Sequence, residues 1–293
     1  HKLILPGHAL DGASLYELIS SEKASVLMGV PTVWLGLLNY LSENNLTLEG
    51  IEKVMVGGSA APLAMIKEFH EKHNTFLVHG WGMTEMSPLG TLNLPSKKMM
   101  QLPDEERYAL QTKQGYPLFG VELKIVDDEN NDLPRDGKAQ GALKVRGPWI
   151  IESYFKAEAP AVDEEGWFDT GDVATIFPDG CMQIMDRAKD VIKSGGEWIS
   201  SIDLENAAVG HPDIEEACVV GVPHPKWDER PLLLVICKGE LDKNSINEFL
   251  EQRVAKWWLP DDIIKVKELP HGATGKLLKV ELREQYKNHL MEN

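Results

Sequence analysis

Three short apolar runs constrain this chain more than any other feature. Ala24–Val30 (ASVLMGV) and Phe76–Val78 are continuous apolar runs rather than alternating ones, and Ile51–Val56 reads as another buried strand. A strand that is apolar on both faces must be covered on both faces, which is the condition of a parallel strand between helices. Helical patterns supply the covering layers. One is expected over Ser14–Ser20, another over Val33–Leu41 with Thr32 as its N-cap, and a third from Pro62 to about His73. The β-loop-α alternation predicts a mainly parallel sheet whose strand-end loops form a ligand crevice.

The texture then changes twice. Leu92–Lys113 reads as partly helical and polar, hence superficial. From Gly115 to Asp186 short β-rich runs (VELKIVDD, GALKVRG, ATIF, MQIM) are separated by Asp, Asn, Pro and Gly turns. That pattern predicts a small barrel-like antiparallel subdomain. After Lys189 helices and strands mix: helix Ser201–Val209, strands Ala217–Val222 and Leu232–Lys238, helix Ile246–Val254, strand Ile263–Val266 and helix Val280–Lys287. The expected fold class is therefore α/β plus a β-barrel-like subdomain plus a small α+β C-terminal domain. The corresponding boundaries are 1–114, 115–188 and 189–293.

The two last parts meet in the run Gly166–Glu205, where the chemistry-bearing residues concentrate. Asp169-Thr170-Gly171-Asp172 is a tight polar turn, and Asp179-Gly180 between apolar runs is a turn signal. Asp186-Arg187-Ala188-Lys189-Asp190 is a dense charge cluster, and Lys193-Ser194-Gly195-Gly196-Glu197 carries paired glycines that accept unusual backbone angles. A carboxylate such as Asp172 accepts from sugar hydroxyls, and a guanidinium such as Arg187 forks onto oxyanions. The competing reading is a salt-bridged surface loop.

Two further segments follow strands. Gly57-Gly58-Ser59-Ala60-Ala61-Pro62 is either a tight connection or a backbone face for a flat ligand. It lacks the final glycine of a hydrolase nucleophile elbow, and no His–acid pair can be placed beside Ser59. Gly80-Trp81-Gly82-Met83-Thr84-Glu85 exposes backbone around an aromatic face suited to a purine. Thr84 can bind a phosphate oxygen, and Glu85 is a hard-oxygen ligand suited to Mg²⁺.

These segments, with Thr274-Gly275-Lys276, stand in the order found in the acyl-adenylate-forming superfamily. That superfamily comprises acyl-CoA synthetases, peptide-synthetase adenylation domains and firefly luciferases. The wording VPTVW, VGGSAAP, MTEMSPLG, SGGEWISSIDLEN and VPHPKWDERP most resembles the fatty-acyl-CoA synthetase branch. The resemblance implies ATP and CoA as co-substrates, Mg²⁺ as cofactor, and a two-step acid–thiol ligation. It assigns Gly58, Ser59, Ala60, Gly80, Trp81, Gly82 and Met83 to the acyl and adenine pocket, and Thr84 and Glu85 to phosphate and metal. It gives Asp172 and Arg187 the ribose and phosphate, Lys189 the hinge, and Lys193 with Gly195 and Gly196 the thiol-forming face. Lys276 is implied to be the mobile lysine that neutralises charge as the carboxylate attacks the α-phosphate. Segment 271–276 is not a Walker loop, because Leu277 replaces Ser/Thr.

The family also carries a Ser/Thr/Gly-rich phosphate loop and an aromatic-histidine segment upstream of Val54–Pro62. Neither is in this chain, so a fragment of weak or no activity by itself is expected, with a sheet edge left open. Rival readings are a non-catalytic nucleotide- or CoA-binding fragment and a synthetase for another acid such as methylthiopropionate. A homodimer is expected only of a full-length protein.

Composition narrows the partners. A net charge of −16 argues against nucleic acid or an anionic membrane surface, but not against a phosphorylated small molecule. Cys181, Cys218 and Cys237 have neither disulfide-like nor metal-like spacing and are expected within strands as reduced thiols, consistent with a cytoplasmic location. No apolar run reaches membrane-spanning length, and no signal peptide opens the chain. Among other candidates, His70 and His73 read as solvated rather than as a metal pair, and His79 as bordering the acyl pocket. Trp257-Trp258 reads as packing, and His224-Pro225-Lys226-Trp227 as a CoA-phosphate contact.

Overall fold

A computed structural model describes residues 2–272 and 277–291. The chain divides into two compact units: His1–Glu122 with Gly147–Ile151 and Asp179–Met182, and Leu123–Arg146 with Glu152–Pro178 and Gln183–Asn293.

The first unit is built on strands β1 (Val26–Gly29), β2 (Lys53–Val56), β3 (Phe76–Gly82), β4 (Leu89–Leu92) and β5 (Tyr116–Pro117), in that spatial order. β1, β2 and β3 are parallel, as the continuous apolar runs require, whereas β4 returns antiparallel to β3. Helices α1 (Gly12–Glu22), α2 (Pro31–Glu43), α3 (Leu63–His73) and α4 (Asp104–Gln111) accompany them. Leu37, Leu41, Val54, Ile66, Phe69 and Leu77 are fully enclosed in one core. Pro31, not Thr32, begins α2, with Val30 as N-cap. Proline at the first helical position gives up only an amide that would have no intrahelical acceptor, and its fixed φ suits the helix. Tyr108 of α4 is buried too, so this segment is less superficial than its polarity implies.

The region expected to be barrel-like is an open sheet, β6 (Glu122–Val126), β7 (Gly141–Arg146), β8 (Phe168–Ile176) and β9 (Met182–Arg187), in the order β6-β7-β8-β9. Among the described residues its ends do not pair. Four strands are too few to close around a filled interior.

The remainder of the second unit contains β10 (Ile192–Ser194), β11 (Glu197–Ile199), α5 (Ser201–Val209), β12 (Ile214–His224), β13 (Asp228–Cys237), α6 (Lys243–Glu251), β14 (Asp262–Lys265) and α7 (Lys279–Tyr286). β12 and β13 form a long antiparallel pair, and β14 runs parallel to β13. Alternate residues of the pair serve opposite faces, as strand geometry demands. Ala217, Val219, Leu233 and Val235 pack with Leu204 of α5 and Leu250 of α6. Cys218, Val220, Leu232 and Leu234 pack with Leu282 of α7. Ser200 caps α5 by accepting the Asp203 amide at 3.1 Å. Cys218 lies in β12 and Cys237 ends β13, but Cys181 precedes β9 instead of lying in a strand; all three are free thiols. No described helix is long and apolar enough to cross a membrane.

Candidate active site

In the first unit, the glycine-rich segments sit at the carboxyl ends of neighbouring parallel strands. Gly57-Gly58-Ser59-Ala60-Ala61-Pro62 follows β2 and leads into α3, with Gly58 at φ +86°. The Gly57 amide donates to the Gly29 carbonyl at 3.3 Å, which ties this turn to the end of β1. Gly58 and Ser59 are exposed, whereas Ala61 is buried.

Gly80-Trp81-Gly82 is not loop: it is the end of β3, paired with β4. A Cβ on Gly82 would stand 2.0 Å from the Pro88 carbonyl oxygen, so only glycine allows the two strands to approach there. Trp81 is 8% exposed, and its ring lies against Gly90, where a Cβ would meet it at 2.6 Å. Met83 leads into a short 3₁₀ turn, Thr84–Met86, which leaves Thr84 exposed and Glu85 half-buried. The Glu85 carbonyl accepts the Ile151 amide at 2.8 Å, fixing the turn from outside. No group of three or more His, Cys, Asp or Glu side chains that could hold a metal occurs among the described residues. A single carboxylate at Glu85 fits Mg²⁺ that arrives on a nucleotide and keeps phosphate and water ligands.

His79 lies under this strand end. It is 1% exposed, with Nδ1 3.0 Å from the Thr112 carbonyl and Nε2 3.4 Å from the Gln114 amide nitrogen. Burial pushes its pKa down to about 4 against the pull of the Thr112 carbonyl, so the ring is neutral. Thr112 O takes the Nδ1 proton, and Nε2 accepts from Gln114. His70 instead meets Tyr108 Oη at 2.7 Å and Arg107 Nη2 at 3.1 Å. His73, expected in solvent, is 7% exposed and its Nδ1 accepts the Leu48 amide at 3.3 Å. It points into the fold because Phe69 and Thr75 around it are core residues.

In the second unit, Asp172 and Arg187 are brought together from β8 and the end of β9. Arg187 Nε stands 2.9 Å from Asp172 Oδ1, and Nη1 donates to the Thr170 carbonyl at 3.3 Å. Asp169-Thr170-Gly171-Asp172 is not the separate tight turn expected but lies within β8, at an irregularity of its pairing with β7, and is braced there by its own side chains. Thr170 Oγ1 donates to Leu143 O at 2.8 Å while accepting the Asp172 amide at 3.1 Å, and Asp169 accepts the Gly171 amide at 2.9 Å. Gly171, at φ +67°, passes its carbonyl to the Ala188 amide at 3.0 Å. The result is a carboxylate only 3% exposed beside a guanidinium whose side chain is 38% exposed.

Lys189 is exposed, and Arg283 of α7 donates to its carbonyl while pairing with Asp190 at 2.8 Å. Lys193 is also exposed. Gly195 and Gly196 form the two-residue turn of the β10–β11 hairpin, at φ +60° and +87°. Both central positions of this turn need positive φ, hence the glycine pair. The Gly195 amide donates to Trp227 O at 2.9 Å, which places this turn beside the Pro225-Lys226-Trp227 segment. Trp227 is 41% exposed with Lys226 Nζ 4.5 Å from its ring centroid. Trp258 packs on the α5–α6 core, and Trp257 is 44% exposed. Thr274, Gly275 and Lys276 lie outside the described residues.

Sequence reasoning missed Thr170, which braces β8 at Asp172, and the cluster of Asp186, Ser201, Glu205 and Lys279. Its members are polar residues on separate elements, and nothing in their local pattern marks them as buried.

The fold and these segments fit the AMP-binding enzyme family. A family profile described as "AMP-binding enzyme" matches residues 1–155, and one described as "AMP-binding enzyme C-terminal domain" matches residues 203–276. The chain belongs to the AMP-binding enzyme family. It is 52% identical over 291 residues to the 3-methylmercaptopropionyl-CoA ligase of Ruegeria lacuscaerulensis, covering 99% of this chain and 54% of that protein. It is 49% identical to the medium-chain-fatty-acid–CoA ligase of Ectopseudomonas oleovorans, over 100% of this chain and 54% of that protein. The chain thus spans about half the length of the curated relatives it matches. Among solved structures it resembles the anthranilate CoA ligase AuaEII in complex with anthranoyl-AMP, with a TM-score of 0.86 and 25% identity, covering 98% of this chain and 55% of that one.

Proposed function

We propose that the complete protein carrying this chain is an ATP-dependent fatty acid–CoA ligase. The Asp172–Arg187 pair is the observation that carries the reading. A deeply buried carboxylate, held within β8 beside a half-exposed guanidinium, suits ribose hydroxyls and a phosphate. Its occurrence in a chain about half identical to acid–CoA ligases gives the pair a reaction.

In the first step a carboxylate oxygen attacks the α-phosphorus of ATP, and pyrophosphate leaves. In the second the CoA sulfur attacks the acyl carbon, the thiol proton is lost to solvent, and AMP leaves. Gly58, Ser59, Ala60, Gly80, Trp81, Gly82 and Met83 serve the acyl and adenine moieties, and Thr84 a phosphate oxygen. Glu85 would hold Mg²⁺, which when bound neutralises phosphate charge. Lys276 meets the negative charge of the first transition state. Lys193, Gly195 and Gly196 serve the second step, with Lys226 and Trp227 beside them as CoA contacts. Lys189 is the hinge by which segment 189–293 changes roles between steps, after a 115–188 subdomain. Three free thiols support a reducing, cytoplasmic setting.

Pyrophosphate release with ATP·Mg²⁺ and a panel of acids, from methylthiopropionate to long-chain fatty acids, tests this reading in the complete gene product. Release that requires Arg187 and Lys276 supports it, and the preferred acid decides between fatty acid and thioether acid. Binding of AMP with no release for any acid would leave only the non-catalytic binding reading. The same assay on this chain alone is expected to give little or no release.

A further inference from the structure

The second unit contains a charged network that the proposed chemistry leaves unused. Lys279, the first residue of α7, pairs with Glu205 Oε1 at 2.8 Å and donates to Ser201 Oγ at 2.6 Å. The two charged side chains are only 12% and 14% exposed. The Ser201 amide donates to Asp186 Oδ2 at 2.6 Å, and Asp186 Oδ1 accepts the Arg187 amide at 2.8 Å. Asp186 is 1% exposed. Beside it Ser200 Oγ donates to Met185 O at 2.6 Å, a second stitch between β9 and the start of α5. An unbroken run of polar contacts therefore leads from Lys279 to Arg187, whose guanidinium meets Asp172.

We propose that Lys279 is a positioning residue: through Ser201 and Asp186 it fixes the backbone at Arg187 and so aims the guanidinium at Asp172. Two carboxyl groups, Glu205 and Asp186, act on this one ammonium, and a third, Asp203, acts on Asp186. Burial first, and Asp186 next, raise Asp203 to about 6. Burial pulls the Lys279 ammonium down, but Glu205 and Asp186 outweigh it and keep the lysine charged. Without that charge Asp186 or Glu205 must take up a proton or swing to water. A protonated Asp186 loses acceptor capacity just where it receives two amides. The consequence falls on Arg187, which Lys279 does not touch.

This inference rests on the reading of Asp172 and Arg187 as nucleotide contacts, and the test separates the two. Lys279→Met and Lys279→Arg are compared with wild type in the complete gene product. Two measurements are made: amide hydrogen exchange at Arg187 and Ser201, and the KM for ATP in pyrophosphate release. Lys279→Met is expected to raise KM for ATP about tenfold or more, the size of one lost charge-assisted hydrogen bond. It should also speed exchange at both amides, while Lys279→Arg restores both readouts. A merely structural lysine lowers the active fraction, so kcat falls at unchanged KM. That result, or unchanged exchange at Arg187 in folded Lys279→Met, overturns the proposal. Faster exchange with restoration by arginine, in a protein that never uses ATP, upholds the coupling and refutes only the nucleotide role.

Discussion

Acid should loosen the first unit through His79 in a way that one substitution can isolate. The ring is enclosed, bonded to Thr112 O and Gln114 Nε2, and held neutral with a pKa of about 4. An unfolded histidine titrates near 6.5. Because the folded value is the lower, the stabilisation is complete above about pH 6.5 and is lost as pH falls toward 4. At pH 5 the unfolded imidazole is almost fully protonated and the folded one almost fully neutral, which works out to about 2 kcal/mol lost relative to pH 8. His79→Gln keeps a side-chain hydrogen-bond donor and acceptor but removes this titration. Stability is read from urea unfolding and from exchange of the Leu77 and Val78 amides in β3, at pH 8 and pH 5. Wild type should lose about 2 kcal/mol more than His79→Gln over that interval. Other groups, including His73, whose value burial also lowers, titrate alike in both proteins and cancel. Parallel losses in the two proteins would refute the reasoning, since His79 would then titrate equally folded and unfolded.

Three other perturbations probe separate parts of the chain. Arg187→Ala strips the guanidinium from a buried carboxylate and should cost about 2 kcal/mol, less than a fully buried pair because Arg187 is 38% exposed; AMP binding followed by calorimetry should weaken, with Arg187→Lys intermediate, and equal affinities would count against the proposed contact. Gly82→Ala must displace the Pro88 carbonyl and should lower stability by about 3 kcal/mol. Gly36→Ala, with open space around it on the exposed face of α2, should raise stability by about 0.5–1 kcal/mol, and thermal unfolding checks both. β1 is an edge strand with Val26 44% and Met28 72% exposed, and Leu3 and Leu5 are also exposed. Met28→Lys should therefore reduce self-association of this chain in sedimentation velocity, and an unchanged profile would show that the edge is not the adhesive surface.

How much of this could be read beforehand depended on whether the deciding contacts were local. α5 was legible to the residue over Ser201–Val209, because its cap and its apolar spacing lie within one short window. The parallel strands were legible because short apolar runs alternate with helical patterns, although β1 leaves Val26 and Met28 exposed on one face. β3 was expected to stop at Val78 but continues to Gly82, because its partner β4, with Gly90 under Trp81, has no strand signal of its own. The four-stranded sheet resembled a barrel for a related reason: alternating short strands announce antiparallel pairing but not whether the last strand meets the first. Closure is a property of strand number, tilt and stagger taken together.

The candidate site divides along the same line. Asp172, Arg187 and the Gly195-Gly196 turn stood out because each is an unusual residue choice within a few positions, where turn geometry and charge are local matters. The residues that brace them did not. Asp186 is read as part of a solvated charge run, yet it is 1% exposed because β9 ends beneath α5. Lys279 looks like an ordinary lysine at a helix start, where a cation gains nothing from the helix dipole. Its position makes sense only once Glu205, on α5 and separated from α7 by β12, β13, α6 and β14, is seen 2.8 Å from its ammonium. A lysine placed against the dipole and out of water persists only if something else repays the desolvation. Here the partners are Glu205 and, through Ser201, Asp186, which also accepts the Arg187 amide. The residue least explained by its own stretch of sequence is thus the one whose removal should be felt farthest away.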